Sequence, residues 1–393
     1  MAQVNGTCDP KFEGVRAKFD ELLKSGEELG ASFAVTIDGK DVINLWGGFA
    51  DPERSRPWTE DTIVNVYSTT KTVCALAILM LIDEGRLSPN DKVAKHWPEF
   101  AVNGKQDIEV RHLISHTSGL AVFEEPITIE ELCDLQLATS RLEAQAPRWE
   151  PGTASGYGAW TYGYPVGELI RRITGQSLTG FVAQKIAGPL GADFQIGAKE
   201  ADWPRVAQLV PPTIPAPPPG SSDWGPKPGT TAALMFNPLP NASFGNTAPW
   251  RRAEIGAANG HTNAAALARI WSRAATLGDD DERRLLSRET VDLIFREQSY
   301  GPDLVLGPVI RFGCGLGLRG SGDSLVDSWM PEGRICFWGG WGGSLVINDV
   351  DRRITIAYTM NKMSNSTAGN DAVISYIAEV YKALGVPIPG GPK

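Results

Sequence analysis

Ser68 and Lys71 stand three residues apart in the tetrad Ser68-Thr69-Thr70-Lys71, directly before the apolar run Val73 to Ile82. Spacing of three puts both side chains on one helical face. A run that is apolar nearly all round predicts a buried helix with Ser68 on its first turn. A hydroxyl is a weak nucleophile at neutral pH. It becomes reactive beside a desolvated lysine whose proton affinity has fallen, or one whose ammonium steadies a nearby phenolate. The helix N-terminus adds positive potential for a developing oxyanion. Of all the serines in the chain, only Ser68 has a lysine three positions on, which makes it the candidate nucleophile and Lys71 its partner.

Two further segments carry groups suited to the same chemistry. Tyr157-Gly158-Ala159 follows Pro151-Gly152-Thr153 and precedes the helix-like Val166-Gly167-Glu168-Leu169-Ile170, so Tyr157 falls on a loop entering a helix. A phenol titrates near ~10 and needs a cation such as Lys71 beside it to act as a base; the alternative for an isolated tyrosine is a packed aromatic. Trp338-Gly339-Gly340-Trp341-Gly342-Gly343-Ser344 joins two predicted strands. Glycine density there marks close approach by another backbone or a ligand, or else a bulged hairpin turn. Acyl transfer needs two donors at the oxyanion. The N–H groups of Ser68 and Trp341 are the candidates, and Trp338, Gly339, Gly340 and Trp341 form the candidate substrate-binding segment. His112 and His116 are four apart, but Leu113 stands where a zinc-protease signature needs glutamate. Neither G-x-S-x-G nor a phosphate loop is present. No metal and no cofactor is expected.

These groups need a scaffold. Apolar residues at Phe12, Val15, Phe19, Leu22 and Leu23 predict an amphipathic helix within Pro10 to Leu29. Phe33, Val35 and Ile37, then Asp38-Gly39, then Val42, Ile43 and Leu45 read as a β-hairpin. The tail mirrors the head, with strands at Ile335 to Trp338, Ser344 to Ile347 and Ile354 to Met360 and a helix at Ala372 to Leu384. Both ends are expected to share one antiparallel sheet. This predicts a discontinuous α/β domain from residues 1–67 plus 300–393 around a mostly helical domain at 68–299. Helical patterns fall at Thr72 to Glu84, Val110 to Ser115, Ile129 to Leu137, Tyr164 to Thr174 and Ala264 to Leu277. The proline cluster Pro211 to Pro228 reads as a long surface loop, either a lid reaching to about residue 250 or a plain linker.

Composition narrows the function classes. The 393 residues are 42% hydrophobic and 21% charged, with 12 Trp and 13 Phe, a globular enzyme's profile. With 37 basic against 46 acidic side chains, the net charge of −9 disfavours nucleic acid as a partner. The longest apolar run, Val73 to Ile82, is half of what a bilayer-crossing helix needs, so no membrane span is expected. Met-Ala-Gln-Val-Asn-Gly leads straight into charged sequence without the pattern of a secretory leader. Five scattered cysteines suit buried free thiols in a reducing compartment, and the reading is cytoplasmic.

Taken together and in order, Ser-Thr-Thr-Lys, Tyr-Gly-Ala and Trp-Gly-Gly resemble the motifs of family VIII carboxylesterases, relatives of class C β-lactamases and D-amino-acid-releasing peptidases. The resemblance extends to Leu113-Ile114-Ser115-His116-Thr117-Ser118-Gly119-Leu120, to Trp149-Glu150-Pro151-Gly152 and to Tyr358-Thr359-Met360-Asn361-Lys362-Met363. It implies a β-lactamase-like fold. It also implies a small-molecule ester as substrate, Ser68 as nucleophile, and Lys71 and Tyr157 as the proton-handling pair. Trp338 begins the segment that β-lactamases and peptidases write as Lys-Thr-Gly, where the cation anchors a substrate carboxylate. Trp338 carries no charge, and Ala159 lacks the side-chain amide or hydroxyl those relatives place there, so neutral esters are expected over β-lactams and peptides. An acyltransferase of the same superfamily is the alternative, and a non-catalytic scaffold is the bland one. Trp149, Trp160, Trp338 and Trp341 fall beside the motifs, as aromatic pocket walls or as core.

Overall fold

The computed structural model describes residues 3–213, 225–278 and 281–389. Its strands are β1 (Val4–Cys8), β2 (Gly30–Ile37), β3 (Lys40–Gly48), β4 (Val64–Asn65), β5 (Phe194–Ile196), β6 (Gly260–Thr262), β7 (Ser299–Pro302), β8 (Val309–Phe312), β9 (Gly317–Leu318), β10 (Ile335–Gly339), β11 (Leu345–Asp349) and β12 (Ile354–Met360). Nine of them form one antiparallel sheet in the order β1-β3-β2-β12-β11-β10-β9-β8-β7. Strands from the two ends of the chain meet where β2 pairs with β12, Phe33 opposite Tyr358. The β2–β3 turn is tight because Asp38 and Gly39 both take positive φ, 50° and 70°, as a two-residue hairpin with right-handed strand twist requires.

Alternation along β2 sends successive side chains to opposite faces, and both faces are covered. Phe33 meets Tyr376 of the Asp371–Ala383 helix at 5.3 Å between ring centroids, and Phe19 of the Glu13–Ser25 helix meets the same ring at 5.5 Å. On the other face, Ser32 Oγ accepts the Ala264 N–H at 3.0 Å, fixing the start of the Ala264–Trp271 helix. Trp271 Nε1 in turn donates to Thr72 Oγ1 at 3.2 Å, tying that helix to Thr70–Asp83. The Thr70–Asp83 helix is buried from Thr70 to Leu81, and the left-handed Gly85, φ 67°, follows its end. A second sheet, β4-β6-β5, leads into it.

Several elements depart from the sequence reading. The helix begins at Thr70, with Thr69 as its cap, so Ser68 lies in the turn before the helix and not on its first turn. Ile129 to Leu137 is not one helix: Asp134 accepts the Leu137 N–H and caps a new helix, Leu135–Ala144, after a short 3₁₀ turn at Glu131–Cys133. The pattern from Ala264 to Leu277 divides into an α-helix to Trp271 and a π-helical turn at Ser272–Thr276. The short strands β1 and β7 to β9 add to the sheet at its two ends and were not read from the sequence. The middle of the expected lid, residues 214–224, lies outside the described residues. Its later part holds short helices at Thr231–Leu234 and Ala248–Arg252. Cys74, Cys314 and Cys336 are buried thiols, whereas Cys8 and Cys133 are only half-buried. Among the described residues no helix is long and apolar enough to cross a membrane.

Where the terminal helices meet the sheet, Glu28 is buried and its Oε1 accepts from Tyr358 OH at 2.6 Å and Tyr376 OH at 3.2 Å. Burial outweighs these two donors and raises the carboxyl to about 7. A carboxyl that binds its proton more tightly folded than unfolded stabilises the fold fully below its unfolded value and loses that contribution as pH rises toward 7. The loss is on the order of 3 kcal/mol. Thermal melting should therefore show wild type falling between pH 5 and pH 8 relative to Glu28→Gln, whose uncharged amide has no proton to lose. Parallel curves for the two proteins would refute this account.

Candidate active site

From Thr62 to Leu81 every residue is buried except Ser68. The turn that presents it is built from neighbours on both sides. Asn65 Nδ2 donates to the carbonyls of Ala258 and Gly260 at 2.9 and 3.0 Å, and the Val66 N–H donates to the Gly260 carbonyl at 2.9 Å. Tyr67 is held at φ 42°, a left-handed conformation that costs a non-glycine residue of order 1 kcal/mol or more. The Tyr67 carbonyl accepts both the N–H and the hydroxyl of Thr70, and its phenol donates to the Ala242 carbonyl at 3.0 Å. The backbone therefore reverses just before Ser68 and lifts its hydroxyl out of an otherwise closed segment.

Lys71 reaches back under that hydroxyl. Its Nζ donates to Ser68 Oγ at 3.0 Å, to the Ala159 carbonyl at 3.0 Å and to the Ala257 carbonyl at 2.8 Å. Among the described residues no carboxylate pairs with it, and burial pushes the amine well below the usual lysine range. The two carbonyls can only accept. When Lys71 is a neutral amine, they take its two N–H bonds and leave the nitrogen lone pair facing Ser68.

Tyr157 closes the group from another part of the chain. Its phenol lies close enough to the Ser68 hydroxyl to be pulled down by it, and it accepts the indole N–H of Trp338 at 3.1 Å. Its ring lies 4.7 Å from Lys71 Nζ and 5.1 Å from the Trp338 ring. Burial raises the phenol above its ordinary value, against the pull of the Ser68 and Trp338 hydrogen bonds. Desolvation thus drives Lys71 and Tyr157 in opposite directions, toward amine and phenol, both uncharged. One proton is shared between two bases on either side of one hydroxyl.

The glycine turn approaches from the sheet. A Cβ on Gly340 would stand 2.1 Å from the Val66 carbonyl oxygen and 2.5 Å from Ser344 Oγ, so only glycine allows this contact. Ser344 Oγ donates to the Val66 carbonyl at 2.9 Å and pairs with Thr69 Oγ1 at 2.9 Å. The Trp341 and Tyr67 rings meet at 5.3 Å. Within the turn, the N–H groups of Gly340, Gly342 and Gly343 all have carbonyl partners. Among the described residues the N–H groups of Ser68 and Trp341 have none.

The tryptophans separate by role. Trp338 is buried and donates to Tyr157, in place of the charge its motif carries in β-lactamases. Trp149 donates to the Ala154 carbonyl and packs under Gly156, buttressing the tyrosine loop. Trp160 packs on Trp250 at 6.3 Å. Trp341 is half-buried against Tyr67, while Gly339 and Gly340 are buried.

Other contributors carried no signal of these roles in the sequence. The carbonyls of Ala159 and Ala257 cradle Lys71, but every residue has a carbonyl. His116, at φ 63°, accepts the Gly158 N–H on Nδ1 at 3.1 Å and packs against the Tyr157 ring, tilted to it, at 4.8 Å. Burial first, then the Lys71 charge, hold its imidazole well below the usual histidine range. His116 therefore positions the loop as a neutral acceptor. His112 Nδ1 accepts the Glu109 N–H in a helix cap. Asp303 accepts the N–H of Tyr157 itself.

The chain is similar to known proteins over nearly its whole length. A family model described as Beta-lactamase matches residues 15–378. The chain is 31% identical over 378 residues to an esterase/beta-lactamase, LipL, of Mycobacterium tuberculosis, covering 92% of this chain and 83% of that protein. A crystal structure of a family VIII carboxylesterase superposes with a TM-score of 0.87 at 35% identity, covering 97% of this chain and all of the other. A penicillin-binding protein homolog from Caulobacter crescentus superposes with a TM-score of 0.86 at 35% identity over 97% of this chain.

Proposed function

This chain belongs to the Beta-lactamase family, and we propose that within it the protein is a serine carboxylesterase acting on neutral esters through an acyl-enzyme on Ser68. The observation that carries this reading is the hydrogen bond of one accessible hydroxyl to an amine at 3.0 Å, with a phenol close enough to feel that hydroxyl, both bases desolvated. Ser68 Oγ attacks the ester carbonyl carbon, and its proton passes to the Lys71–Tyr157 pair. Negative charge gathers on the former carbonyl oxygen, where the free N–H groups of Ser68 and Trp341 receive it. Collapse breaks the bond to the alcohol, which leaves with the proton from the pair. A water then takes the alcohol's place, and the same steps in reverse order release the acid and restore Ser68.

Preference for neutral substrates follows from Trp338. Where a lysine would offer a cation to a substrate carboxylate, this site offers an indole N–H already given to Tyr157 at 3.1 Å. Among the described residues the only lysine or arginine touching Ser68 or Tyr157 is Lys71. A charge-assisted hydrogen bond contributes ~1.5–3 kcal/mol, so its absence is a factor of about 10–100 in kcat/KM. p-Nitrophenyl butyrate should be hydrolysed about tenfold or more faster, in kcat/KM, than the hemisuccinate ester of the same phenol, with a cephalosporin slower still. Faster turnover of the anionic ester or the cephalosporin would defeat the neutral-ester reading. An added alcohol acceptor, with free acid and transferred ester both quantified, tells release by water from acyl transfer.

A further inference from the structure

The Ser155–Gly158 loop is held alternately from two sides. His116 takes the N–H groups of Gly156, on its carbonyl at 2.9 Å, and of Gly158, on Nδ1 at 3.1 Å. The other side is the β7–β8 connection, nearly 150 residues further along the chain. There Asp303 Oδ1 accepts the Tyr157 N–H at 3.0 Å together with the N–H groups of Val305 and Leu306, each at 2.9 Å. The Leu304 N–H donates to the Ser155 carbonyl at 2.9 Å.

Asp303 is 2% exposed. Its second oxygen, Oδ2, is buried without a hydrogen-bond partner, and among the described residues no lysine, arginine or histidine pairs with it. Burying a carboxylate without a counter-charge costs several kcal/mol. An asparagine or serine could accept the same N–H bonds without bringing a charge. What the carboxylate supplies beyond the clamp is a negative charge fixed beside the tyrosine.

Resting on the reading of Tyr157 as part of the proton-handling pair, we propose that Asp303 is a positioning residue for the reaction. It clamps the main chain at Tyr157, and its unpaired charge sets the field in which the phenol and Lys71 exchange the Ser68 proton. The other groups facing Tyr157 are Ser68 and Lys71 from the start of the buried helix, His116 from the loop beyond Ile114, and Trp338 from β10. Tyr162 lies behind His116, at 4.9 Å. Of these only Lys71 can carry a positive charge under working conditions, since His116 is held neutral. A fixed negative charge favours the protonated form of each member of the pair, and the charge of Asp303 acts upward on the Tyr157 phenol.

Removing the charge while keeping the acceptor therefore moves the pH–rate profile toward acid, by on the order of one pH unit. The test is the rate of Ser68 labelling by a fluorophosphonate from pH 5 to pH 10 in wild type, Asp303→Asn and Asp303→Glu, with melting curves alongside. The expected result is an acid shift in the folded Asn variant and wild-type limbs in the Glu variant. Limbs unmoved in Asp303→Asn, or moved equally in Asp303→Glu, overturn the proposal and leave the nucleophile intact. If the Asn variant does not fold, Asp303→Ser removes the same charge; failure of both to fold makes the contact structural alone and overturns the proposal too. No labelling of wild type at any pH would instead remove the reactive serine, and this proposal with it.

Discussion

Ser68→Ala should abolish covalent labelling by a fluorophosphonate and lower ester turnover by a factor on the order of 10⁴ or more. The size of the effect follows from the absence of a substitute. The adjacent hydroxyls are buried and engaged: Thr69 Oγ1 pairs with Ser344, and Thr70 Oγ1 donates to the Tyr67 carbonyl while accepting the Gly260 N–H at 2.8 Å. No other residue between Thr62 and Leu81 is open to solvent. The fold should persist, because among the described residues the Ser68 side chain is hydrogen-bonded only to Lys71, and its carbonyl still accepts the Lys71 N–H. Melting within a few degrees of wild type, together with loss of labelling seen by intact-protein mass, separates lost chemistry from lost structure. Undiminished labelling or turnover in the alanine variant would place the nucleophile elsewhere.

Lys71→Ala should lower kcat by a factor of about 10²–10⁴. The acid limb of the rate profile follows the same group. Burial holds the amine well below its ordinary range, so activity falls as pH drops through that lowered value and the nitrogen lone pair facing Ser68 is lost to a proton. Lys71→Arg should rescue nothing, since a guanidinium keeps its proton at any working pH. Tyr157→Phe should cost a similar factor. The double variant Lys71→Ala/Tyr157→Phe should cost little more than the worse single one, because the two groups handle one proton as a unit. Multiplied losses in the double variant, measured as kcat on p-nitrophenyl butyrate, would show that they act independently.

The parts of this protein that depend on near neighbours were readable from the chain. The run from Val73 to Ile82 specifies a buried helix because every face of it is apolar. Asp38-Gly39 specifies its turn because both residues tolerate positive φ. Ser68 and Lys71 share a helical spacing, so their juxtaposition is nearly local. The antiparallel sheet joining both ends was visible as alternating strands, and the β-lactamase-like fold was carried by motifs in their order. Local pattern failed where one side chain decided a boundary, as at Asp134, whose capping bond divides an expected helix in two.

Tertiary structure alone decided what each group in the site does. Trp338 reads as an aromatic wall in the sequence, yet folding puts its N–H on the Tyr157 oxygen. Ala159 reads as a missing hydrogen-bonding group, yet its carbonyl and that of Ala257 hold Lys71. Asp303 is one of 46 acidic residues, distinguished only by the distant peptide it clamps. Periodicity and spacing encode which face a side chain takes on its own element. Partners brought in from other elements, the direction of a main-chain carbonyl and the removal of water that shifts Lys71 and Tyr157 in opposite senses arise only when the chain closes on itself.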